Sequence, residues 1–209
     1  MIQLFNYPNS RSLRVTWMLE ELEEDYEFTL VPLGSNEAAY KEYLKINPAG
    51  KVPAIRDGDL VLTESAAIVT YLGDKFPEKK LVPPAGTAAR AKHDQWCYFV
   101  LSELEQPLWT KGKHKFILPP DKRVPAVFET AEWEFQKALK ILSQGLDGNR
   151  FILGDTFSAA DILIGHTLSW ARTAKQPVEI QNVKNYAESI LDRSALQRAR
   201  AREAELVNT

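Results

Sequence analysis

The sequence contains very little of the chemistry that marks redox, metal-binding and nucleic-acid-binding proteins. Its single cysteine, Cys97, excludes an internal disulfide framework, and the absence of a Cys-x-x-Cys motif excludes dithiol redox chemistry by the protein alone. The three histidines are too scattered to indicate a metal site. A formal net charge of −2 over 209 residues gives no overall basic surface. We therefore predict a protein without a bound metal and without a nucleic-acid partner.

Long apolar runs are also absent. No run reaches the length that a membrane-spanning helix needs, and residues 1–7 lack the basic region and the long apolar segment of a signal peptide. At 44% hydrophobic residues, the chain can bury a core in one large domain or in two small ones. We predict a soluble, cytoplasmic protein with no membrane partner.

The first 75 residues mix strand and helix patterns. Apolar residues at helical spacing predict an amphipathic helix over about 12–23, and they are Val15, Met18, Leu19 and Leu22. Asp57-Gly58 favours the positive φ of a hairpin turn between two short strands. The predicted elements are strand 2–5, helix 12–23, strand 26–30, helix 37–44, strands 52–56 and 60–63, and helix 65–75. Their order is βαβαββα.

The pattern changes after residue 76. Proline, glycine and charged residues predict a linker over 77–87, and everything beyond it is predicted to be helical. The predicted helices are 88–113, 125–144, 158–173, 182–191 and 195–206. Ser158 and Asp161 have the spacing of a capping box at a helix start, which indicates a structural role.

Two runs of charge are predicted to be solvated faces. One is the acidic run over 20–25, and the other is a set of arginines near the end of the sequence, Arg193, Arg198, Arg200 and Arg202. Cys97 lies in an apolar part of a helix, which indicates a buried, inert thiol.

The stretch Asn47-Pro48-Ala49-Gly50-Lys51-Val52-Pro53-Ala54-Ile55 carries the strongest functional signal. Pro53 has no N–H to give to a sheet, and an X–Pro bond is where a cis peptide costs least. A cis bond there turns the Val52 backbone outward, where its N–H and C=O can pair with a bound peptide. Glu64 and Ser65 follow at a strand end where a helix begins, and a helix N-terminus favours an anionic group. Together these residues suit a small zwitterionic peptide.

These residues resemble the glutathione-binding motif of the glutathione transferases. The likeness covers nearly the whole chain, since the linker and Phe157-Ser158-Ala159-Ala160-Asp161 follow in the same order. The resemblance implies a thioredoxin-like βαβαββα domain over 1–76, a linker over 77–87 and an all-helical domain over 88–209.

The resemblance also implies roles for individual residues. Val52, next to Pro53, would pair with the cysteinyl backbone of glutathione, Glu64 and Ser65 would hold its γ-glutamyl end, and Lys51 would assist with the glycyl carboxylate. Glutathione is then a co-substrate, the second substrate is a small hydrophobic electrophile, and no metal takes part.

A residue that activates the glutathione thiol is predicted in the loop after the first strand. A thiol pKa near 8.5 falls by two units when the thiolate is stabilised by about 2.7 kcal/mol, and a hydroxyl donor at a helix start can supply part of this. Ser10 is the first candidate, because its spacing from Arg14-Val15 is similar to that of the serine-type enzymes of the theta-like and zeta-like groups. Ser12, Asn9 and Tyr7 are the alternatives, and Ser10 or Ser12 can also act as a helix cap.

Several functions remain compatible with this family resemblance. The main prediction is a glutathione transferase. The alternatives are glutathione-dependent reduction of peroxides or disulfides, an isomerase of the zeta type, and a non-enzymatic binding or assembly module on the same fold. The resemblance further implies a two-fold homodimer whose interface includes residues 65–71 and 88–99.

Overall fold

The computed structural model describes residues 1–33 and 37–206. Its contacts divide the chain into two compact units. The first combines Met1–Val82 with the chain from Asp192 onward, and the second is Pro83–Leu191. The break between Val82 and Pro83 falls inside the segment 77–87 that the sequence marks as a linker.

The first unit has the predicted βαβαββα order, which confirms the thioredoxin-like fold class. Its elements are β1 (Ile2–Asn6), α1 (Ser12–Leu22), β2 (Tyr26–Leu30), α2 (Glu37–Leu44), β3 (Ala54–Asp57), β4 (Leu60–Thr63) and α3 (Ser65–Lys75), followed after the second unit by α9 (Ser194–Glu205). The apolar stripe predicted on α1 is fully buried.

The four strands form one mixed sheet in the order β2-β1-β3-β4. β1 runs parallel to β2 because α1 makes the crossover between them, and it runs antiparallel to β3. Leu4 stands opposite both Phe28 and Ile55, which places it in the centre of the sheet. β3 and β4 form the predicted hairpin, with Gly58 at φ +59° in its turn. Because β1 is a central strand, the loop that follows Asn6 leaves the sheet between β2 and β3.

The last helix, α9, packs against α1 within the first unit. Arg193 donates to both carboxylate oxygens of Glu21 at 2.6 and 2.7 Å, and Arg198 donates to Glu20 at 2.9 Å. The prediction that both charged runs are solvated faces was therefore wrong for these residues. Each run supplies the counter-charges of the other across a helix–helix contact.

The second unit is helical. Its helices are α4 (Ala88–Phe99), α5 (Gln106–Gly112), α6 (Val127–Leu146), α7 (Ala159–Thr173) and α8 (Gln181–Leu191). The single helix predicted over 88–113 is instead divided by a π-helical turn at Val100–Leu104, and a second such turn, Lys113–Ile117, follows α5. Among the described helices, none is both long and apolar enough to cross a membrane.

The start of α7 is fixed by a buried carboxylate. Asp161 accepts hydrogen bonds from the Ser158 N–H and hydroxyl at 2.9 and 2.8 Å, which confirms the capping box. Its other oxygen accepts from the Ile152 N–H at 2.9 Å and the Tyr186 hydroxyl at 2.7 Å. Burial raises the pKa of Asp161, and the four donors oppose that rise. This one side chain thus joins α7 to the preceding loop and to α8.

Candidate functional site

The segment before β3 leaves one residue with free backbone groups. The Val52–Pro53 peptide bond is cis, and Pro53 is buried. Within residues 1–33 and 37–206, neither the N–H nor the C=O of Val52 has a hydrogen-bond partner. A free donor and a free acceptor on one residue can pair with the backbone of an extended peptide, as an added strand would.

Side chains from α2 and its C-terminal end hold this segment in place. The Tyr43 hydroxyl and the Asn47 amide both donate to the Lys51 carbonyl, at 2.5 and 2.6 Å. Burial raises the pKa of Tyr43, so its hydroxyl stays protonated as a donor. Gly50 has φ +63°, and a Cβ at this position would lie 2.1 Å from the Tyr40 hydroxyl oxygen, so only glycine fits. The Lys51 side chain itself is exposed.

The junction of β4 and α3 forms the second part of the site. Glu64 is exposed and has φ +66° and ψ 111°, a strained backbone for a residue other than glycine. Its carbonyl accepts the Ile68 N–H at 3.0 Å, which is the first hydrogen bond of the helix. The N–H groups of residues 65–67 therefore have no acceptor within the helix. These groups and the helix dipole favour an anion at this point.

A buried cation lies directly behind this helix start. Arg14 on α1 is fully buried, and its Nη1 donates to the Ser65 hydroxyl at 3.1 Å. A guanidinium in a low-dielectric interior attracts an anion more strongly than one in water. In the sequence, Arg14 serves only as a spacing marker for Ser10, and its contact with Ser65 was not predicted.

The loop between β1 and α1 carries the predicted thiol-activating candidates. The half-buried Ser10 hydroxyl lies 2.5 Å from the Tyr7 carbonyl oxygen and 3.0 Å from the Ser12 hydroxyl oxygen, and its oxygen accepts the Ser12 N–H at 3.1 Å. Ser10 therefore shapes the turn that begins α1. To serve a thiolate as well, its hydroxyl must rotate away from the Tyr7 carbonyl, which requires no backbone movement.

The structure places the three alternatives in different surroundings. Ser12 is fully buried, and its hydroxyl oxygen accepts the Tyr7 N–H at 3.4 Å. Asn9 is exposed with φ +57°, and the Tyr7 side chain is 40% exposed at the end of β1. Ser12 is thus enclosed by the protein, whereas Ser10, Asn9 and Tyr7 are accessible to solvent.

The remaining candidate groups lie in the second unit or are isolated. Cys97 is buried, as predicted, and its sulfur lies 3.7 Å from Nε2 of His93. Burial lowers the pKa of His93, so its imidazole is neutral near pH 7. Over the described ranges, no group of three or more metal-ligating side chains comes together.

The fold and this site define a protein with a thioredoxin-like unit that can bind a small anionic peptide, followed by a helical unit. Residues 1–74 match the family described as Glutathione S-transferase, N-terminal domain, and residues 125–204 match Glutathione S-transferase, C-terminal domain. The chain belongs to the cytosolic glutathione transferase family, and it is a glutathione transferase enzyme.

Two curated relatives show the range within this family. The zeta-class glutathione S-transferase of Euphorbia esula is 38% identical over 167 residues, covering 78% of this chain and 72% of that protein. The disulfide-bond oxidoreductase YfcG of Escherichia coli strain K12 is 30% identical over 207 residues, covering 95% and 94%. Similarity at this level therefore spans both transfer and disulfide chemistry.

Two solved structures are similar over almost the full chain. A glutathione transferase from Methylococcus capsulatus has a TM-score of 0.86 at 29% identity, covering 98% of this chain and 99% of that one. A sphingomonad glutathione S-transferase complexed with glutathione has a TM-score of 0.82 at 28% identity, covering 97% and 98%. The two-part fold is thus shared along its length.

Proposed function

We propose that the first unit binds glutathione across Val52, Ser65 and the start of α3. The observation that carries this proposal is the pairing of a free backbone N–H and C=O at Val52 with a helix start backed by the buried Arg14. The cysteinyl backbone of glutathione pairs with Val52, which Pro53 orients, and the γ-glutamyl carboxylate lies on the N–H groups of α3 beside Ser65. Glu64 accepts the γ-glutamyl ammonium, and the exposed Lys51 attracts the glycyl carboxylate.

We further propose that Ser10 stabilises the glutathione thiolate, which makes this a serine-type enzyme. The Ser10 hydroxyl is accessible and lies at the start of α1, where the helix dipole also favours a negative charge. A thiolate there accepts a hydrogen bond from the Ser10 hydroxyl, which in the structure is directed at the Tyr7 carbonyl or at Ser12. The thiolate then attacks a small hydrophobic electrophile and a C–S bond forms. An aryl halide loses its halide with the electron pair of the broken bond, whereas an enone loses no group and its α-carbon takes up a proton. In this proposal the enzyme removes such electrophiles in the cytoplasm.

A substrate panel with glutathione tests this function. We expect conjugation of an aryl halide or an enone to exceed the reduction of a peroxide, the reduction of a mixed disulfide and the isomerisation of a cis-alkene. Conjugate absorbance measures the first two activities, a coupled assay for oxidised glutathione measures the reductions, and absorbance of the alkene measures the isomerisation. Conjugation no faster than the uncatalysed reaction, with rapid turnover of another substrate, would contradict the proposal.

Glutathione-dependent disulfide reduction is the second candidate, because the relative YfcG is a disulfide-bond oxidoreductase. The only cysteine, Cys97, is buried in the second unit, so both electrons must come from glutathione. One bound thiolate would attack a sulfur of the disulfide and release a thiolate, and a second glutathione would resolve the mixed disulfide to oxidised glutathione. The disulfide arm of the panel separates this activity from transfer.

Replacing either Glu64 or Ser65 with alanine should raise the KM for glutathione far more than it lowers kcat. Both residues are proposed to bind one end of the peptide equally in the ground state and in the transition state. Their loss therefore weakens binding of glutathione and leaves the barrier from the bound state almost unchanged. A hydrogen bond to a charged group contributes about 1.5–3 kcal/mol, which corresponds to an increase in KM of about tenfold or more. Initial rates at varied glutathione concentration give both constants.

The exposed Glu78 supplies a matched control for these variants. Glu78→Ala removes the same charge from the first unit without touching the proposed site, and its KM should equal that of the parent. An unchanged KM in both Glu64→Ala and Ser65→Ala would show that the peptide binds elsewhere.

We also propose a two-fold homodimer that uses residues 65–71 and 88–99. In support, Tyr98 lies in α4 within this range and is 69% exposed, so it presents aromatic surface that a partner subunit can cover. Sedimentation at micromolar concentration should give a mass near twice 23.7 kDa. A single species at the monomer mass would overturn this assembly.

A further inference from the structure

A buried carboxylate on α9 contacts the loop that carries Ser10. Glu203 is only 5% exposed. Its Oε1 accepts from the Asn6 amide at 3.4 Å and from the Thr16 hydroxyl at 3.2 Å, and the backbone N–H of Asn9 faces the same carboxyl group closely enough to lower its pKa. These three donors come from the end of β1, from α1 and from the loop between them. Glu203 therefore lies beneath the residue that immediately precedes Ser10.

The hydrogen bond to Asn9 acts on a strained point of this loop. Asn9 has φ +57°, and a left-handed conformation is unfavourable for residues other than glycine. Asparagine tolerates this conformation better than most residues, but it still needs stabilising contacts. An acceptor for the Asn9 N–H stabilises the turn that sets the direction of Ser10.

Helix docking alone does not account for this carboxylate. The contact between α1 and α9 already has the ion pairs of Arg193 with Glu21 and of Arg198 with Glu20, together with buried alanine and leucine side chains on α9. Within the part of the chain that the structure describes, Glu203 has no ion-pair partner. Burying a carboxyl group without a counter-charge costs free energy, and hydrogen bonds offset that cost. On a helix that is already held by other contacts, the hydrogen bonds of Glu203 therefore indicate a role at the loop.

We propose that Glu203 is a positioning residue for glutathione activation, which fixes the loop at Asn9 and thereby directs Ser10 toward the thiol. This inference rests on the proposed function of Ser10. Glu203 does not touch glutathione in this proposal, because it acts through the Asn9 backbone.

The charge state of Glu203 gives this role a pH signature. Burial raises the pKa of Glu203 to about 7, against the opposing effect of its three hydrogen bonds. Among the ionisable groups on the neighbouring elements, Glu20 on α1 is paired with Arg198 and accepts a hydrogen bond from the Tyr26 hydroxyl on β2, so neither supplies a counter-charge to Glu203. Arg202, on the same helix as Glu203, lies over the Tyr26 ring.

Protonation should weaken the hold on the loop. A neutral carboxyl group is a poorer acceptor than a carboxylate, so the Asn9 N–H is held less firmly below about pH 7. The buried Oδ1 of Asn6 has no hydrogen-bond partner among the described residues. If the Asn6 amide rotates so that Oδ1 faces Glu203, this oxygen can accept a hydrogen bond from the protonated carboxyl group. Two ionisations then limit activity on the acid side, those of the glutathione thiol and of Glu203.

The experiment compares Glu203→Ala, Glu203→Gln and the control Arg193→Gln. The control weakens the same helix contact without touching the loop. For each variant, the pKa of enzyme-bound glutathione is measured from thiolate absorbance, and kcat, KM and the melting temperature are measured in parallel. The slope of log kcat/KM against pH on the acid side is the final readout.

We expect Glu203→Ala to raise the bound-thiol pKa by about one unit, with a loss of kcat that approaches about tenfold at pH values below both pKa values, and with little change in the KM for glutathione. Glu203→Gln keeps an acceptor for Asn9 but cannot titrate, so it should recover most activity at pH 8 with an acid-side slope of one. The parent slope should exceed one. Arg193→Gln should lower the melting temperature without moving the bound-thiol pKa.

Three outcomes would overturn the inference: a bound-thiol pKa in Glu203→Ala equal to that of the parent, a shift as large in Arg193→Gln, or a parent slope of one that Glu203→Gln leaves unchanged. The role of Ser10 is tested separately. If Ser10→Ala moves the bound-thiol pKa and Glu203→Ala does not, the proposed function stands and this inference fails. If Glu203→Ala moves it and Ser10→Ala does not, the loop is positioned as proposed and another group in it contacts the thiol.

Discussion

Replacing Ser10 with alanine is expected to raise the pH at which kcat/KM for an electrophile reaches half of its maximum, toward the free-thiol value near 8.5. The reason is that the Ser10 hydroxyl is the proposed donor to the thiolate, and its loss removes that stabilisation. At pH values below the half-maximum of the parent, activity should fall about tenfold for each pH unit of the shift, with partial recovery in alkali. Full pH profiles of kcat/KM at saturating and limiting glutathione measure this change.

Ser12→Ala and Tyr7→Phe are the controls for this prediction. Ser12 is fully buried and Tyr7 has no assigned contact with the thiol, so neither change should move the profile. Because Ser10 also accepts the Ser12 N–H, melting temperatures of all three variants separate loss of the turn from loss of the thiol donor. A shift in the Tyr7 variant with a parent-like Ser10→Ala would transfer the role to Tyr7. Parent-like profiles in all three would assign thiol activation to the helix dipole and backbone N–H groups.

Replacing Asp161 with alanine should destabilise the second unit by about 3–5 kcal/mol. The change leaves the N–H groups of Ile152 and Ser158 and the hydroxyl of Tyr186 without their buried acceptor, and each such group costs about 1–3 kcal/mol. Urea unfolding followed by circular dichroism gives the free energy of unfolding. If the two units unfold separately, the transition of the second unit is the one that should move.

Tyr186→Phe and Asp161→Asn test the origin of that loss. Tyr186→Phe removes one of four donors and should cost about 1 kcal/mol, since the other three stay paired. Asp161→Asn keeps the shape of the side chain, but it turns one oxygen into an NH₂ group facing donors, so it should cost clearly more than Tyr186→Phe. A loss within 1 kcal/mol for Asp161→Ala would show that the capping box contributes little to stability.

Elements defined by neighbouring residues could be predicted from the sequence. The buried stripe of α1, the Asp57-Gly58 hairpin turn and the capping box at Ser158 each depend on residues within a few positions of one another. Their spacing alone determines which face is buried or which turn forms. The π-helical turn at Val100–Leu104 was missed because it leaves the apolar pattern of a continuous helix almost unchanged.

Contacts between distant parts of the chain could not be predicted. The partners Arg193 and Glu21 lie at opposite ends of the sequence, and each has the composition of a solvent-exposed face when its own neighbours alone are considered. The same holds for Glu203 and the Asn9 backbone, because a backbone N–H has no sequence signature. The return of α9 to α1 is what brings these groups together.

The residues of the candidate site also fall into two groups, those with a local sequence signal and those without one. The sequence pointed to Val52 and Ser65 as binding residues, which stay proposals, because a proline and a strand–helix junction signal themselves locally. It missed their supports, Tyr43 and Arg14, since an aromatic or a basic residue at helical spacing is typical of any amphipathic helix. Only the fold shows that the Tyr43 hydroxyl and the Arg14 guanidinium are turned toward the binding segments.

The return of α9 to the first unit has a consequence for the order in which the protein can be completed. The strands and α1 are synthesised before any of the second unit, but the helix that packs on α1 is made only after it. During translation, the side chains of Glu20 and Glu21 and the Asn9 loop therefore lack these partners until α9 has left the ribosome. The first unit, although most of it precedes the second unit in the sequence, acquires its full set of contacts only after the second unit has been made.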